Sequence, residues 1–160
     1  MLLVVLQTSK AHHARLGLLR GSEDTYRNVL RYRHARQVPR ALILRYDAPL
    51  FFANSGHFRD TVLGEVEATQ DVCALVLDCA PINSVDSTAL KSFLALIDEL
   101  EQREAPVRVI LAAVKGPVRD RLEQAGLNAA DERRFQPSIR AAVSRLVREG
   151  VLQDPGARCV

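Results

Sequence analysis

The sequence has 160 residues, of which 48% are hydrophobic and 26% charged, with a formal net charge of +3. This size and balance predict one globular domain, and its core must be aliphatic because tryptophan is absent and aromatic residues make up only 5%. The weak positive charge does not by itself indicate nucleic-acid binding, and no run reaches the ~18 apolar residues of a membrane-spanning helix. The cysteines Cys73, Cys79 and Cys159 show no metal-ligand spacing, and their odd number together with the lack of a signal-peptide pattern favours a reducing compartment.

The first half of the chain predicts a strand followed by a helix. The apolar run 1–6 is compatible with a frayed terminus, a first strand or the end of a membrane helix. Residues 41–44 predict a short strand, and residues 50–53 predict a brief second one. A polar N-cap at 54–55 and the four-residue spacing of Phe58, Val62 and Val66 then predict a helix from about Ser55 to Ala68.

The second half repeats this alternation. Residues 72–77 form a continuous apolar run, which predicts a strand covered on both faces as in parallel sheets. The stretch that opens at Asp86 is the most strongly amphipathic of the chain and predicts a long helix. A strand over 107–114, a helix that begins at Gly116-Pro117 and a last helix from about Pro137-Ser138 to Gly150 follow. The order of elements predicts an α/β domain with helices packed on the sheet.

The turn of residues 82–90 is the most informative candidate site. It lies between a buried strand and a long helix, where unpaired backbone N–H groups carry partial positive charge. A phosphoryl group on Ser87 or Thr88 would therefore be tolerated by the helix dipole while changing the surface charge. The alternative, a plain N-cap, remains open on spacing alone.

Catalytic and metal-binding signatures are missing from the sequence. It contains no phosphate-binding loop, no dinucleotide-binding glycine motif and no nucleophile elbow. The four histidines lack cysteine or carboxylate partners at ligand spacing, so we expect solvated or interface roles for His12, His13, His34 and His57. We expect neither an enzyme nor a metal site.

The segment 26–40 is unusually rich in arginine, with five arginines and two tyrosines. Such a run usually forms a solvated, irregular surface, which is the interpretation we favour. The alternative is contact with anionic lipid headgroups, RNA or acidic groups of a partner domain.

The stretch Asp86-Ser-Thr-Ala-Leu90 resembles the D-[ST]-[ST]-G-L turn that precedes the long helix of the STAS domain. That family is named for sulfate transporters and anti-sigma-factor antagonists. Thr88 falls where the soluble antagonists of the family carry their phosphorylatable hydroxyl, and Ala89 replaces the usual glycine. Further stretches resemble the STAS domains of SulP-type transporters, namely residues 8–17, 25–28, 44–54, 114–122 and 125–127. The resemblance thus spans about residues 8–148.

The resemblance implies a mixed, mostly parallel sheet of about four to five strands. Residues 1–37 would be a linker from a transmembrane domain plus the first strand, residues 38–150 the STAS core, and residues 151–160 a disordered tail. The chain would regulate a secondary sulfate or anion transporter from the cytoplasmic face of the plasma membrane, as part of an integral membrane protein. The alternative is a free-standing anti-sigma-factor antagonist switched by phosphorylation.

The resemblance also implies partners and contact residues. We expect the transmembrane domain of the same transporter as partner, together with a homodimer, and no nucleic acid. The residues expected to contact the membrane domain or lipid are Arg27, Arg31, Arg33 and Arg36. No cofactor is expected apart from weak binding of GDP or GTP, for which the candidate residues are Ser84, Asp86, Ser87, Thr88 and Ala89.

Overall fold

The computed structural model describes residues 11–127 and 133–154. In these ranges the elements are β1 (His13–Leu19), β2 (Tyr26–Asn28), β3 (Ala35–Arg36), β4 (Ala41–Tyr46), α1 (Phe52–Glu67), β5 (Ala74–Asp78), α2 (Ser87–Glu101), β6 (Arg108–Ala112), α3 (Gly116–Gln124), β7 (Phe135–Gln136) and α4 (Ile139–Arg148). The predicted α/β class is thereby confirmed.

All the strands lie in one mixed sheet with the order β2-β1-β4-β5-β6-β7, and β3 also pairs with β1. Strands β4 to β7 are parallel, whereas β1 runs antiparallel to β2, β3 and β4. The described ranges therefore contain seven strands rather than the four to five expected. The additional ones come from residues 13–36, most of which we had assigned to a linker, and from β7 near the start of α4.

Helices α1, α2 and α3 cover one face of the sheet. Their apolar stripes pack against alternate residues of the parallel strands, such as Leu42 and Leu44 of β4 and Leu75 and Leu77 of β5. This alternation follows from the two-residue period of a strand, which sends neighbouring side chains to opposite faces. The strand predicted over 72–77 is thus covered on both sides, as its continuous apolar run indicated.

Helix α4 covers the opposite face, and buried residues of β1 and β2 belong to the apolar cluster beneath it. The intervening strand residues, Ile43 of β4 and Val76 of β5 among them, form a second cluster with Val143 and Leu146 of α4. Leu152 belongs to this cluster and is only 5% exposed. The predicted disordered tail is therefore wrong for its first residues, because an apolar side chain anchors them to the sheet.

The predicted strand at residues 50–53 is also wrong. Leu50 makes a single parallel bridge to Val85, and α1 already begins at Phe52. The reason is Asn54, whose buried side chain accepts from the Phe51 N–H at 3.0 Å and donates to the Pro49 carbonyl at 2.8 Å. Asn54 thus stabilises the first turn of α1 from inside it instead of preceding the helix as an N-cap.

The starts of the two last helices are as predicted. Helix α3 begins at Gly116, with Pro117 in its first turn where no backbone donor is needed. Ser138 is the N-cap of α4, and its hydroxyl accepts from the Ala141 N–H at 3.1 Å. Among the residues that the structure describes, no helix combines the length and apolar character needed to cross a membrane.

Candidate functional site

The α2 turn, defined here as residues 82–89, is attached to the loop that precedes α1. The Leu50 N–H donates to the Ser84 carbonyl at 2.9 Å, and the Asp86 N–H donates to the Leu50 carbonyl at 3.0 Å. Ile82 and Val85 are buried in the helix-side core, whereas Ser84 is exposed. The backbone of the turn is therefore fixed, and its polar side chains face outward.

Asp86 caps two helices at once. Its Oδ1 accepts from the Ala89 N–H of α2 at 2.8 Å, which makes Asp86 the N-cap of that helix. Its Oδ2 accepts from the Phe52 N–H, the first donor of α1, also at 2.8 Å. One carboxylate therefore satisfies backbone donors of both helices, and neither Ser87 nor Thr88 is the N-cap that we had considered.

These bonds keep Asp86 ionised. The pKa of its carboxyl is lowered, chiefly by the bond from the Ala89 N–H and next by the bond from the Phe52 N–H, and the charge of Arg121 acts in the same direction. A phosphate brought to this helix N-terminus would meet a carboxylate that already occupies the position favoured by the dipole.

Ser87 and Thr88 occupy the first two positions of α2, and both are exposed. Within the ranges that the structure describes, neither hydroxyl makes a hydrogen bond, so no general base activates either oxygen as a nucleophile. Ala89 is only 2% exposed and packs in the helix-side core, so it offers the turn nothing beyond its backbone N–H. The structure thus brings the predicted residues together but leaves two hydroxyls without a partner.

Two cations that sequence reasoning missed stand beside the turn. Arg121 of α3 donates to the Val85 carbonyl at 2.5 Å, and Lys115 donates to the Asn83 side chain. Together with Asn83, Ser84 and Asp86, Arg121 borders an open depression of about 320 Å³. Lys115 immediately precedes α3 and Arg121 lies within it, each more than 30 positions after the turn residue that it contacts. No local sequence pattern links these cations to the turn.

The four arginines predicted to contact membrane or lipid lie in one exposed structure. We call residues 26–36 the arginine hairpin: Arg27 lies on β2, Arg36 on β3, and Arg31 and Arg33 on the connection between them. All four side chains are exposed, and none forms an ion pair within the described ranges. The segment is thus solvated, as expected, but it is a paired β structure and not irregular.

Metal chemistry has no visible basis in the part of the chain that the structure covers. There, no group of three or more histidine, cysteine, aspartate or glutamate side chains is placed to hold a metal ion. The two histidines closest to a carboxylate, His12 beside Asp47 and His13 beside Glu65, each face one acidic partner at 2.8 and 3.4 Å.

Comparison with known proteins identifies relatives of this fold. High affinity sulfate transporter 1 of Stylosanthes hamata is 32% identical over 124 residues, which cover 72% of this chain but only 18% of the relative. The chain thus spans less than a fifth of the length of that curated relative.

Two solved structures are similar as well. The murine Solute Carrier 26 family member A9 anion transporter, in the inward-facing state, matches with a TM-score of 0.79 and 25% identity over 89% of this chain and 23% of its own. The STAS domain of a SulP transporter from Vibrio cholerae matches with a TM-score of 0.53 and 22% identity over 69% of this chain and 83% of its own.

A family model decides the assignment. The model described as the STAS domain matches residues 32–142, which is more than half of the chain. This stretch contains residues 44–54, 86–90 and 114–122, three of the stretches on which the resemblance in the sequence depended. The chain belongs to the STAS domain family.

Proposed function

We propose that this chain is the cytoplasmic regulatory STAS domain of a SulP-type secondary anion transporter. The observation that carries the proposal is the match to sulfate transporters over 72% of this chain and 18% of the relative, which leaves a large transport domain to be supplied elsewhere. The described residues offer surfaces for docking and no activated nucleophile. In this role the chain docks against its own transmembrane domain, supports assembly of the transporter as a dimer and passes on a cytoplasmic signal.

The docking surface in this proposal is the arginine hairpin. Its four guanidinium groups have no carboxylate partner within the described ranges, so they are available to acidic groups on the transport domain or to headgroups around it. Leu30, at the end of the hairpin, is 92% exposed, and Tyr32 is 45% exposed. Exposed apolar side chains flanked by unpaired arginines are typical of a surface that becomes covered by a partner.

The first test is an immunoblot of membrane and soluble fractions from the source cells, with an antibody against this chain. We expect a membrane band several times heavier than the 17.8 kDa of the chain itself. A soluble band at 17.8 kDa would overturn the transporter proposal.

The second test addresses docking in the full-length protein. Arg31→Glu combined with Arg33→Glu is expected to reduce uptake of radiolabelled sulfate by at least about half, because like charges would then face the acidic partner. The order in which other anions compete should stay unchanged, since the domain does not form the permeation path. The matched control is Lys91→Glu with Arg148→Glu, two exposed cations on α2 and α4 with the same change of charge. Equal uptake in the two double variants would contradict docking through the hairpin.

A free-standing antagonist switched by phosphorylation is the second candidate, and the observation that favours it is the exposed, unbonded hydroxyl of Thr88. Against it stands the adjacent Asp86 carboxylate, which would repel a phosphoryl group. Mass spectrometry of the protein isolated from source cells would detect the modified peptide. A stoichiometric phosphate on Thr88 or Ser87 in a soluble 17.8 kDa protein would favour this candidate over the transporter.

Weak binding of GDP or GTP at the α2 turn is a further part of the proposal. Arg121 and Lys115 supply positive charge beside Ser84, whereas the Ala89 N–H is already bonded to Asp86. We therefore expect low affinity and no hydrolysis. Titration of the ¹⁵N-labelled chain with GDP and GTP tests this, and the absence of amide shifts between residues 84 and 90 would contradict it.

A further inference from the structure

A second pocket lies at the carboxyl ends of the parallel strands, on the face covered by α4. This strand-end pocket has a volume of about 530 Å³, and its polar lining includes Tyr26, Arg27, Arg45, Asp78, Ser138 and Arg140. Arg45 and Asp78 are register partners on neighbouring strands and continue the rows of Ile43 and Val76, which face α4. In open α/β sheets, the crevice outside the carboxyl ends of the strands is the usual place for a ligand.

Tyr26 adds a hydroxyl donor to the lining of the pocket. Its side chain is buried, with the residue only 8% exposed, and it lines the pocket. Its phenol oxygen has no hydrogen-bond partner in the ranges 11–127 and 133–154. Burial raises the pKa of this phenol, the charge of Arg140 lowers it and that of Asp24 raises it, so the hydroxyl stays protonated and lies among the charged groups of the lining. No fully buried side-chain oxygen or nitrogen of the described residues lacks a hydrogen-bond partner, so solvent reaches this hydroxyl through the pocket, and it can donate a hydrogen bond to a ligand there.

Two arginines of the pocket lining have guanidinium N–H donors that remain available to a ligand. Arg27 donates to the backbone carbonyl of Tyr26 and forms no ion pair with a described residue. Arg140 reaches only the exposed Glu23, at 3.4 Å. Arg45, by contrast, is already paired with Asp47 at 2.6 Å. The guanidinium groups of Arg27 and Arg140 are therefore the ones available to an anion.

The N-terminus of α4 adds further positive charge to the strand-end pocket. Ser138 caps the helix with a neutral hydroxyl, which accepts from the Ala141 N–H. The preceding N–H groups of Ile139 and Arg140, in the first turn of α4, have no hydrogen-bond partner within the described ranges and carry the positive end of the helix dipole. The α2 turn differs, because the carboxylate of Asp86 fills the corresponding position there.

Asp78 adds a hydrogen-bond acceptor to the otherwise positively charged pocket. Burial raises the pKa of its carboxyl, and the bond from the Ala80 N–H, 3.1 Å long, only partly offsets this effect. Asp24, the other carboxylate of the lining, already accepts from the hydroxyls of Ser22 and Thr25. Asp78 is thus the acceptor best placed to take a hydrogen bond from a ligand. An anion without a hydroxyl group could not donate that hydrogen bond.

We propose that the strand-end pocket binds a small phosphate monoester whose organic part carries hydroxyl groups. Arg27, Arg140 and the Tyr26 hydroxyl hold the phosphate at the start of α4, and Asp78 accepts a hydrogen bond from a hydroxyl of the organic part. This site is separate from the α2 turn and does not depend on the assignment to a transporter.

The test is a titration of the ¹⁵N-labelled 160-residue chain with ribose 5-phosphate, inorganic phosphate and ribose at constant ionic strength. We expect saturable shifts at residues 24–27 and 138–140 with ribose 5-phosphate. Inorganic phosphate should bind at least about tenfold more weakly, because it makes no bond to Asp78, and ribose should not bind measurably. Equal affinities for the two phosphates, or no saturable binding, would overturn the proposal.

Variants separate this site from general charge effects. Arg140→Gln and Tyr26→Phe should each weaken ribose 5-phosphate binding by about tenfold, whereas Asp78→Ala, which removes both acceptor oxygens, should bring its affinity down to that of inorganic phosphate. Arg31→Gln removes the same charge from the arginine hairpin and should leave affinity unchanged. If Arg31→Gln weakens binding as much as Arg140→Gln does, or if Arg121→Gln at the α2 turn abolishes it, the pocket is not the site. Thermal unfolding of each variant identifies any that is not folded.

Discussion

Asp86 connects the start of two helices through a single side chain. Its two oxygens accept from the Ala89 N–H in α2 and the Phe52 N–H in α1, both at 2.8 Å. These helices follow different strands, β4 and β5, so the carboxylate also fixes the spacing of two crossover connections. The aspartate of the family-like turn therefore has a structural role that is independent of any phosphorylation at Thr88.

The first prediction compares Asp86→Ala with Ser138→Ala. Asp86→Ala removes acceptors from two helix starts and should lower the melting temperature roughly twice as much as Ser138→Ala, which removes one. Asp86→Asn keeps one amide oxygen as an acceptor and should fall between wild type and Asp86→Ala. Thermal unfolding followed by circular dichroism measures all three variants. An effect of Asp86→Ala no larger than that of Ser138→Ala would show that the bond to Phe52 adds no stability.

The same carboxylate makes stability depend on pH. The pKa of Asp86 is lower in the folded chain, chiefly because of the bond from the Ala89 N–H, than its value of about 3.9 when unfolded. Its stabilising effect is therefore complete above the unfolded value and is lost as the pH falls through the folded one. Urea unfolding at about pH 5 and about pH 3 should show a smaller loss of stability for Asp86→Asn than for wild type. Equal losses would assign the acid sensitivity to other carboxylates.

Among the elements, the contact of β3 with β1 depends on a glycine. A Cβ at Gly17 would stand 2.6 Å from the Arg36 carbonyl oxygen and 2.9 Å from a methyl carbon of Val29. The arginine hairpin can therefore fold back onto β1 only where β1 has no side chain.

Gly17→Ala and Gly64→Ala should change stability in opposite directions. Gly17→Ala is expected to lower the free energy of unfolding by about 1–3 kcal/mol, because backbone must move to accommodate the methyl group. Gly64 lies inside α1 with no atom within 4 Å of the added Cβ, so Gly64→Ala should raise it by about 0.5–1 kcal/mol. Chemical denaturation measures both. A neutral Gly17→Ala variant would mean that β3 leaves β1 at little cost.

The sequence predicted the elements that have a strong apolar pattern and missed those that depend on distant contacts. β4, β5 and α2 were predicted because each buries a continuous run or a complete stripe. β2 and β3 have three and two residues and pair with β1 through backbone bonds, which no side-chain period reveals. Residues 50–53 have the apolar composition of a strand, but the bonds of Asn54 begin a helix there instead.

The candidate sites also differ in how far the sequence could predict them. The α2 turn was predictable because its residues are contiguous and precede a strong helix. The contact of Asp86 with Phe52 spans 34 positions. The strand-end pocket brings Tyr26, Asp78 and Arg140 together from three separate elements. Such juxtapositions depend on strand order and register, which the composition of a segment does not encode.

At the scale of the whole molecule, the sheet separates two apolar layers of unequal size. The larger layer lies beneath α1, α2 and α3, and the smaller one lies beneath α4 and includes Leu152. Because the smaller layer is covered by a single helix among the described residues, an anchor beyond the end of α4 should contribute more to its stability than it would in the larger layer.

Leu152→Ala tests this anchor. The side chain is 5% exposed and packs in the α4-side cluster, so its truncation should lower the free energy of unfolding by about 2–4 kcal/mol. Gln153→Ala, at the next and exposed position, should have no effect. Denaturant titration of both variants decides the matter. Indistinguishable midpoints would show that residues 151–154 contribute nothing to the fold.

The two layers should unfold together, and Cys79 can report it. Its thiol is completely buried in the helix-side core just after β5, and burial, assisted by Asp78, raises its pKa, so the reactive thiolate forms only when the core opens. In a variant with Cys73→Ser and Cys159→Ser, the labelling of Cys79 by a thiol reagent should follow denaturant with the same slope as global unfolding. Leu152→Ala destabilises the α4-side cluster, on the other face of the sheet. If both layers unfold together, this substitution should speed the labelling of Cys79 by the factor that corresponds to its loss of unfolding free energy. Labelling unaffected by Leu152→Ala would instead mean that the helix-covered face opens while α4 stays packed on the sheet.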